Sequence, residues 1–170
     1  SDGTHVNDSN DILHYIDESH GNKFPREGED AEQDKWMNFS NDILGKSIVA
    51  VIYKNYRTSL HALDYVTKVD KFSLKDRIVS KWLGAIVMGM IGRSRAKMFD
   101  EPPRTNLQTQ LDSMSSGIEG EFFGGKGPNG ADFANYGILR SMQGLNGFDI
   151  VEKHNVIWPW YNRMQVLSNI

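Results

Sequence analysis

The segment Gly124-Gly-Lys-Gly-Pro-Asn-Gly130 has the glycine content of a loop that cradles phosphate. It lacks the Gly-Lys-Ser/Thr ending such a loop needs, and no strand-like run precedes it. A turn feeding a capped helix accounts for every residue in it. Asn129 is spaced to accept hydrogen bonds from first-turn backbone N–H groups, and Asp132 to reach back to the Asn129 N–H. Asn129 and Asp132 therefore read as a structural cap. His5, His14, His20, His61 and His154 never pair at metal-ligand spacing with a third carboxylate, so no metal site is expected. The chain has no cysteine, which excludes a disulfide, a thiolate metal centre or a catalytic thiol within these residues. No Gly-x-Ser-x-Gly elbow is present to expose a serine nucleophile. No catalytic residue is assigned.

Two further groups carry charge chemistry. Asn7-Asp8-Ser9 precedes the apolar residues Ile12, Leu13, Tyr15 and Ile16, and so opens a helix. Asp8 can pair with an ammonium group, and Ser9 at a helix N-terminus can hold a carboxylate; capping alone also explains both. Arg93, Arg95 and Lys97 close an apolar helix. A solvated helix terminus accounts for them, since cations favour helix C-termini; the alternative is an anionic partner such as a lipid headgroup.

The wider charge pattern is uneven. Net charge is −3 over 170 residues, yet residues 1–35 hold ten acids against three bases, and residues 46–98 eleven bases against three acids. The acidic start argues against a nucleic-acid arm, and no nucleic-acid motif occurs. The longest apolar run, Trp82–Ile91, has ten residues, half of what a membrane span requires. It contains Gly84 and Gly89 and is expected to be a buried core helix.

The elements that must position these residues are helices. Thr4–Val6 is a candidate strand stub. Residues 31–55 place Trp36, Phe39, Ile43, Ser47 and Ala50 or Val51 at spacings of three and four. Ile48–Tyr53 is rich in β-branched residues, which implies either a kink or a fully buried wall. Thr58 or Ser59 is expected to cap a helix through Val69, and Ser73 to open a long one through Lys97 with Ile78, Trp82, Ile86 and Met90 on one face. Pro102-Pro103 ends any continuation. Leu107, Leu111, Met114 and Ile118 give the helix after it a clean apolar row. Phe133, Tyr136, Gly137 and Leu139 are expected to face inward on the next. Phe148–His154 and Trp160–Leu167 complete the set, the last started by Pro159. The sum is an all-α bundle.

Several segments together carry a resemblance. They are Asn7-Asp8-Ser9; Lys35-Trp36-x-x-Phe39; Asn55-Tyr56-Arg57-Thr58 followed by Ala62-Leu63-x-Tyr65; Lys81-Trp82-Leu83-Gly84-Ala85; and Phe123-Gly-Gly-Lys-x-Pro-Asn-x-Ala-Asp132. Tyr136-Gly-x-Leu-Arg140, Gly144-Leu145-x-x-Phe148-Asp149 and His154-x-x-Ile157-x-Pro159-Trp160-Tyr161-x-Arg163 continue the order. Over nearly the whole chain they resemble the glutathione S-transferase superfamily, and more narrowly its membrane-associated prostaglandin E synthase 2 group. The resemblance implies that residues 1–22 are the last strand and helix of a thioredoxin-like domain. Residues 23–33 would be an acidic linker, and residues 34–170 an all-α domain of the transferase C-terminal type.

The resemblance also implies site residues. Asp8 and Ser9 match the pair that holds the γ-glutamyl end of glutathione, so glutathione is a possible ligand and no other cofactor is expected. Lys46 stands where the group carries a cleft histidine, the segment Ser47–Lys54 is about three residues longer than the group's pattern, and Arg93 and Arg95 lie near its cleft-facing cations. The group's Cys-x-x-Cys would lie upstream of Ser1. Two functions are expected from it. One is a non-catalytic scaffold or accessory subunit of a larger, organellar (mitochondrial or plastid) assembly, partnered by other subunits or a second copy. Peripheral membrane contact is possible for it, with no nucleic acid and no transmembrane helix. The other is a glutathione-dependent isomerase or transferase whose thiol-bearing half lies upstream.

Overall fold

The computed structural model describes residues 30–63 and 74–168, with the side chains of 74–77 excepted. Asp8, Ser9, the strand stub and most of the expected linker lie outside those residues. Among the described residues every regular element is helical, and the one β-type contact is an isolated bridge between Phe122 and Gly125. The order is α1 (Ala31–Phe39), a π-helical turn (Ser40–Leu44), α2 (Gly45–Ile52), α3 (Tyr56–Ala62), α4 (Leu74–Ala96), α5 (Pro103–Ser115), α6 (Gly130–Arg140), α7 (Phe148–Lys153) and α8 (Ile157–Ser168). This is the all-α bundle of the transferase C-terminal type. No described helix is long and apolar enough to cross a membrane.

The starts of the helices reflect local chemistry. Asp30 caps α1, accepting from the Glu32 and Gln33 N–H groups at 3.1 Å each. Pro103 opens α5, where its missing N–H costs nothing. The cap of α3 is Asn55 rather than Thr58 or Ser59: the Asn55 side chain accepts from the Thr58 N–H, and Thr58 Oγ1 accepts from the Asn55 N–H. Thr58 is thus the third residue of the box, and the helix begins a turn earlier than its sequence suggests.

Residues 31–52 run as one column interrupted by the π turn. A π turn carries one extra residue, which rotates the downstream helix by about 100°. The row Trp36–Phe39 therefore continues to Leu44, which is fully buried, while Ile43 turns outward. Beyond it, Ser47, Ile48, Ala50, Val51 and Ile52 are all buried on regular α-helix. The β-branched run is a buried wall and not a kink; the irregularity lies just before it.

The core forms where α1, α2, α5, α6 and α8 meet. Leu107, Leu111, Met114, Leu139, Trp160 and Met164 have no exposure at all. Polar pairs bind the helices across this core. Ser47 Oγ donates to Asn106 Oδ1 at 2.6 Å, the Gly130 N–H to Gln33 Oε1 at 3.0 Å, and Asn146 Nδ2 to the Val51 carbonyl at 2.8 Å. His154 is buried, and its Nδ1 accepts from the Val156 and Ile157 N–H groups at the start of α8. Its hydrogen therefore sits on Nε2, which donates to Asp112 at 3.1 Å.

Two expected faces are corrected. Gly137 is exposed, whereas Tyr136 and Leu139 are buried as expected. More consequentially, α4 is not a buried core helix. Ile78, Trp82, Ile86 and Met90, and the parallel row Val79, Leu83, Val87 and Ile91, are each 39–59% exposed. The inward face is made of Ala85, Gly89 and Gly92. The reason is close approach: a Cβ at Gly92 would collide with the Tyr53 backbone carbonyl. Helices packed this tightly leave no room for large side chains, so those of α4 point away.

Candidate functional site: a cation-rimmed apolar groove

Close packing of α2 on α4 forms one wall of a groove of about 530 Å³. Its apolar lining comes from Ile48 and Ile52 of α2, Met88 and Ile91 of α4, and Ile138 of α6. Lys46 and Arg95 line the same groove. Lys46 enters at the first turn of α2, immediately after the π turn. Arg95 enters at the last turn of α4, where the helix dipole favours a cation.

The two cations differ in their neighbours. Lys46 Nζ lies 3.3 Å from Asp42 Oδ1, four residues back, and the Asp42 carboxylate is largely solvent-exposed. Such a pair is worth well under about 1 kcal/mol and is readily exchanged for a ligand anion. Arg95 meets no carboxylate among the described residues; its Nη1 contacts Met98 Sδ at 3.4 Å. No acidic residue lines the groove among the described residues. The arrangement suits an elongated apolar body with an anionic end, held by desolvated contact along the walls and by charge-assisted hydrogen bonds at the rim. It does not supply a carboxylate for an ammonium group, as the zwitterionic end of glutathione would require.

Of the residues singled out in the sequence, Lys46 and Arg95 are thus brought together. Arg93 is not: its Nε donates to the Gly89 carbonyl at 3.1 Å, and it lies on the exposed side of α4. Asn129 and Asp132 form a reciprocal pair at the start of α6, away from the groove. The Asn129 side chain accepts from the Ala131 and Asp132 N–H groups, and Asp132 Oδ2 accepts from the Asn129 N–H at 2.9 Å. Asp132 also accepts from the Phe123 N–H at 3.0 Å and from Trp160 Nε1 at 2.7 Å. Sequence spacing foreshadowed the cap but not these distant donors. Nor did it mark Ile138, whose place in the groove depends on how α6 crosses α2. No three His, Cys, Asp or Glu side chains cluster to hold a metal among the described residues.

Fold and groove together define a class: an all-helical bundle like the C-terminal half of glutathione transferases, with a cation-rimmed apolar cleft. Two curated relatives are similar to this chain in sequence. The chain is 33% identical to prostaglandin E synthase 2 of Mus musculus over 139 residues, covering 79% of this chain and 36% of the relative. It is 31% identical to prostaglandin E synthase 2 of Danio rerio over 147 residues, covering 84% of this chain and 39% of the relative. The chain thus spans under two fifths of the length of the curated relatives it matches. No family model matches it.

Proposed function

We propose that this chain is a non-catalytic, glutathione-transferase-like accessory domain whose groove binds an apolar anion. The observation that carries the reading is the convergence of Lys46 and Arg95, from separate helices, on a groove lined with aliphatic side chains and no acid among the described residues. In this reading the anionic end of the ligand pairs with Lys46 or Arg95 while its chain lies along Ile48, Ile52 and Ile91.

The test is a fluorescence titration with dansyl-labelled undecanoic acid and the matching alcohol. The acid is expected to bind more tightly than the alcohol by about tenfold. Lys46→Gln and Arg95→Gln each weaken the acid several-fold and leave the alcohol unchanged. Equal affinity for acid and alcohol, or indifference to both substitutions, defeats the proposal.

A second reading is favoured by the relatives' name, which denotes a synthase, and by how little of their length this chain covers. In that reading a longer protein supplies a thiol-bearing half, and Asp8 and Ser9 hold glutathione. Glutathione affinity in the full-length protein, lost on Asp8→Ala, supports it; affinity untouched by Asp8→Ala removes those residues from the site.

A further inference from the structure

We propose that the π turn builds the seat for the anionic end of the groove's ligand, with Asn41 as a binding residue beside Lys46. The inference rests on the reading of the groove as a site for an apolar anion, and adds which part of the groove takes the charge. Spacing carries the argument. Asn41 and Lys46 are five residues apart, and both line the groove. In a regular α-helix, five steps of 100° leave two side chains about 140° apart, on opposing sides. The π turn removes that difference. The Gly45 N–H donates to the Ser40 carbonyl, five residues back. The extra residue held in the turn brings Asn41 onto the face that Lys46 occupies. π turns are frequent at functional sites.

The lysine stem points toward that turn. Lys46 Nζ reaches back to 3.3 Å from Asp42 Oδ1, so the ammonium lies level with the residues next to Asn41. Asn41 is exposed, and its amide has no hydrogen-bond partner among the described residues. The other uncharged polar side chains of the lining are engaged. Ser141 Oγ donates to the Ile138 carbonyl at 2.7 Å, and Tyr53 has a partner of its own. An amide N–H and an ammonium on one face suit the two oxygens of a carboxylate, each taking a charge-assisted hydrogen bond. Arg95, on α4, adds positive potential to the groove without sharing this turn.

Asp42 is the competitor for that seat. Its largely exposed carboxylate holds the ammonium that a ligand's carboxylate would take. A bound anion shares Lys46 with it, against the repulsion of like charges. Neutralising Asp42 therefore favours the anion, and it gives an uncharged ligand of the same length nothing.

The experiment repeats the titration with dansyl-labelled undecanoic acid and its alcohol on variants of the whole chain. Asn41→Leu keeps the size of the side chain and removes its donors. It is expected to weaken the acid about fivefold and to leave the alcohol within about twofold. Asp42→Asn is expected to tighten the acid about threefold, again without effect on the alcohol. Glu152→Gln makes the same change in net charge at an exposed residue that does not line the groove, and should leave the acid unchanged. Equal affinity of the wild type for acid and alcohol removes the groove reading and this inference with it. A wild-type preference for the acid that survives Asn41→Leu overturns this inference alone. So does an Asp42→Asn variant that binds the acid no more tightly than Glu152→Gln. Should Asn41→Leu alter the circular dichroism spectrum, the comparison of Asp42→Asn with Glu152→Gln decides by itself.

Discussion

The indole Nε1 of Trp160 donates to Asp132 Oδ1 at 2.7 Å, joining the first turn of the last helix to the first turn of α6. Both residues are fully buried. The same carboxylate accepts from the Phe123 and Asn129 backbone N–H groups. One side chain thereby fixes a loop, a helix start and a distant helix, which places it at the centre of the stability of the bundle.

Removing that carboxylate leaves the buried Trp160 donor without a partner, a penalty of about 1–3 kcal/mol, and strips the part-buried Phe123 and Asn129 N–H groups of theirs at a smaller cost. Asp132→Ala is expected to destabilise the chain by about 3–5 kcal/mol. Trp160→Phe deletes one donor, leaves the others paired, and should cost about 1–2 kcal/mol through the hydrogen bond. The double variant should fall short of the sum, because both remove the same bond. Urea unfolding midpoints of the two single variants and the double variant check this; strict additivity would mean the Trp160 bond adds nothing.

Two glycines in helices should respond oppositely to alanine. At Gly92 an added methyl meets the Tyr53 carbonyl, a backbone atom with little freedom to yield. Gly92→Ala is expected to push α4 from α2 and cost about 1–3 kcal/mol. At Gly137 nothing lies within 4 Å of an added methyl. Gly137→Ala should gain up to about 1 kcal/mol from helix propensity. Thermal melts of the two variants settle the contrast; equal shifts would show that α2 and α4 are not in close contact.

The Arg104 guanidinium lies 2.6 Å from Asp149 Oδ2 and, with a smaller pull from Lys153, holds the Asp149 carboxyl below the usual carboxylate range. A depressed folded-state value means the contribution is present in full above the unfolded value of about 4 and is lost as pH falls through the folded value. Both side chains are about two fifths exposed, so the contribution is below about 1 kcal/mol. Asp149→Asn should therefore be slightly less stable than wild type at neutral pH, and the difference should vanish in strong acid. Denaturant midpoints taken at both ends of that range measure it; a difference that grows with acid would reverse the sign.

Much of the helix inventory was legible. In the row Leu107, Leu111, Met114 and Ile118 the first three residues share a helix face and are fully buried, whereas Ile118 lies past the end of α5 at Ser115 and is only partly buried. Asn129 and Asp132 have the spacing of a cap and form one. These are local effects: a side chain three residues away either reaches an N–H or does not. The cap of α3 was misplaced because Asn55, Thr58 and Ser59 are all competent, and only the path of the chain out of α2 selects Asn55. Ile43 was misplaced because a π turn shifts phase without a compositional signal.

The sequence by itself determined that the chain is helical, where most helices begin, and that Lys46 and Arg95 carry charge near apolar runs. Only the tertiary structure decided that these two residues share a groove and that the large side chains of α4 face outward. The reason is physical. Periodicity reports that a helix has an apolar face; it does not report which face its neighbours take. In α4 the neighbours approach so closely that the glycine and alanine face is the one they take. The larger apolar residues are left at the surface for another partner to cover.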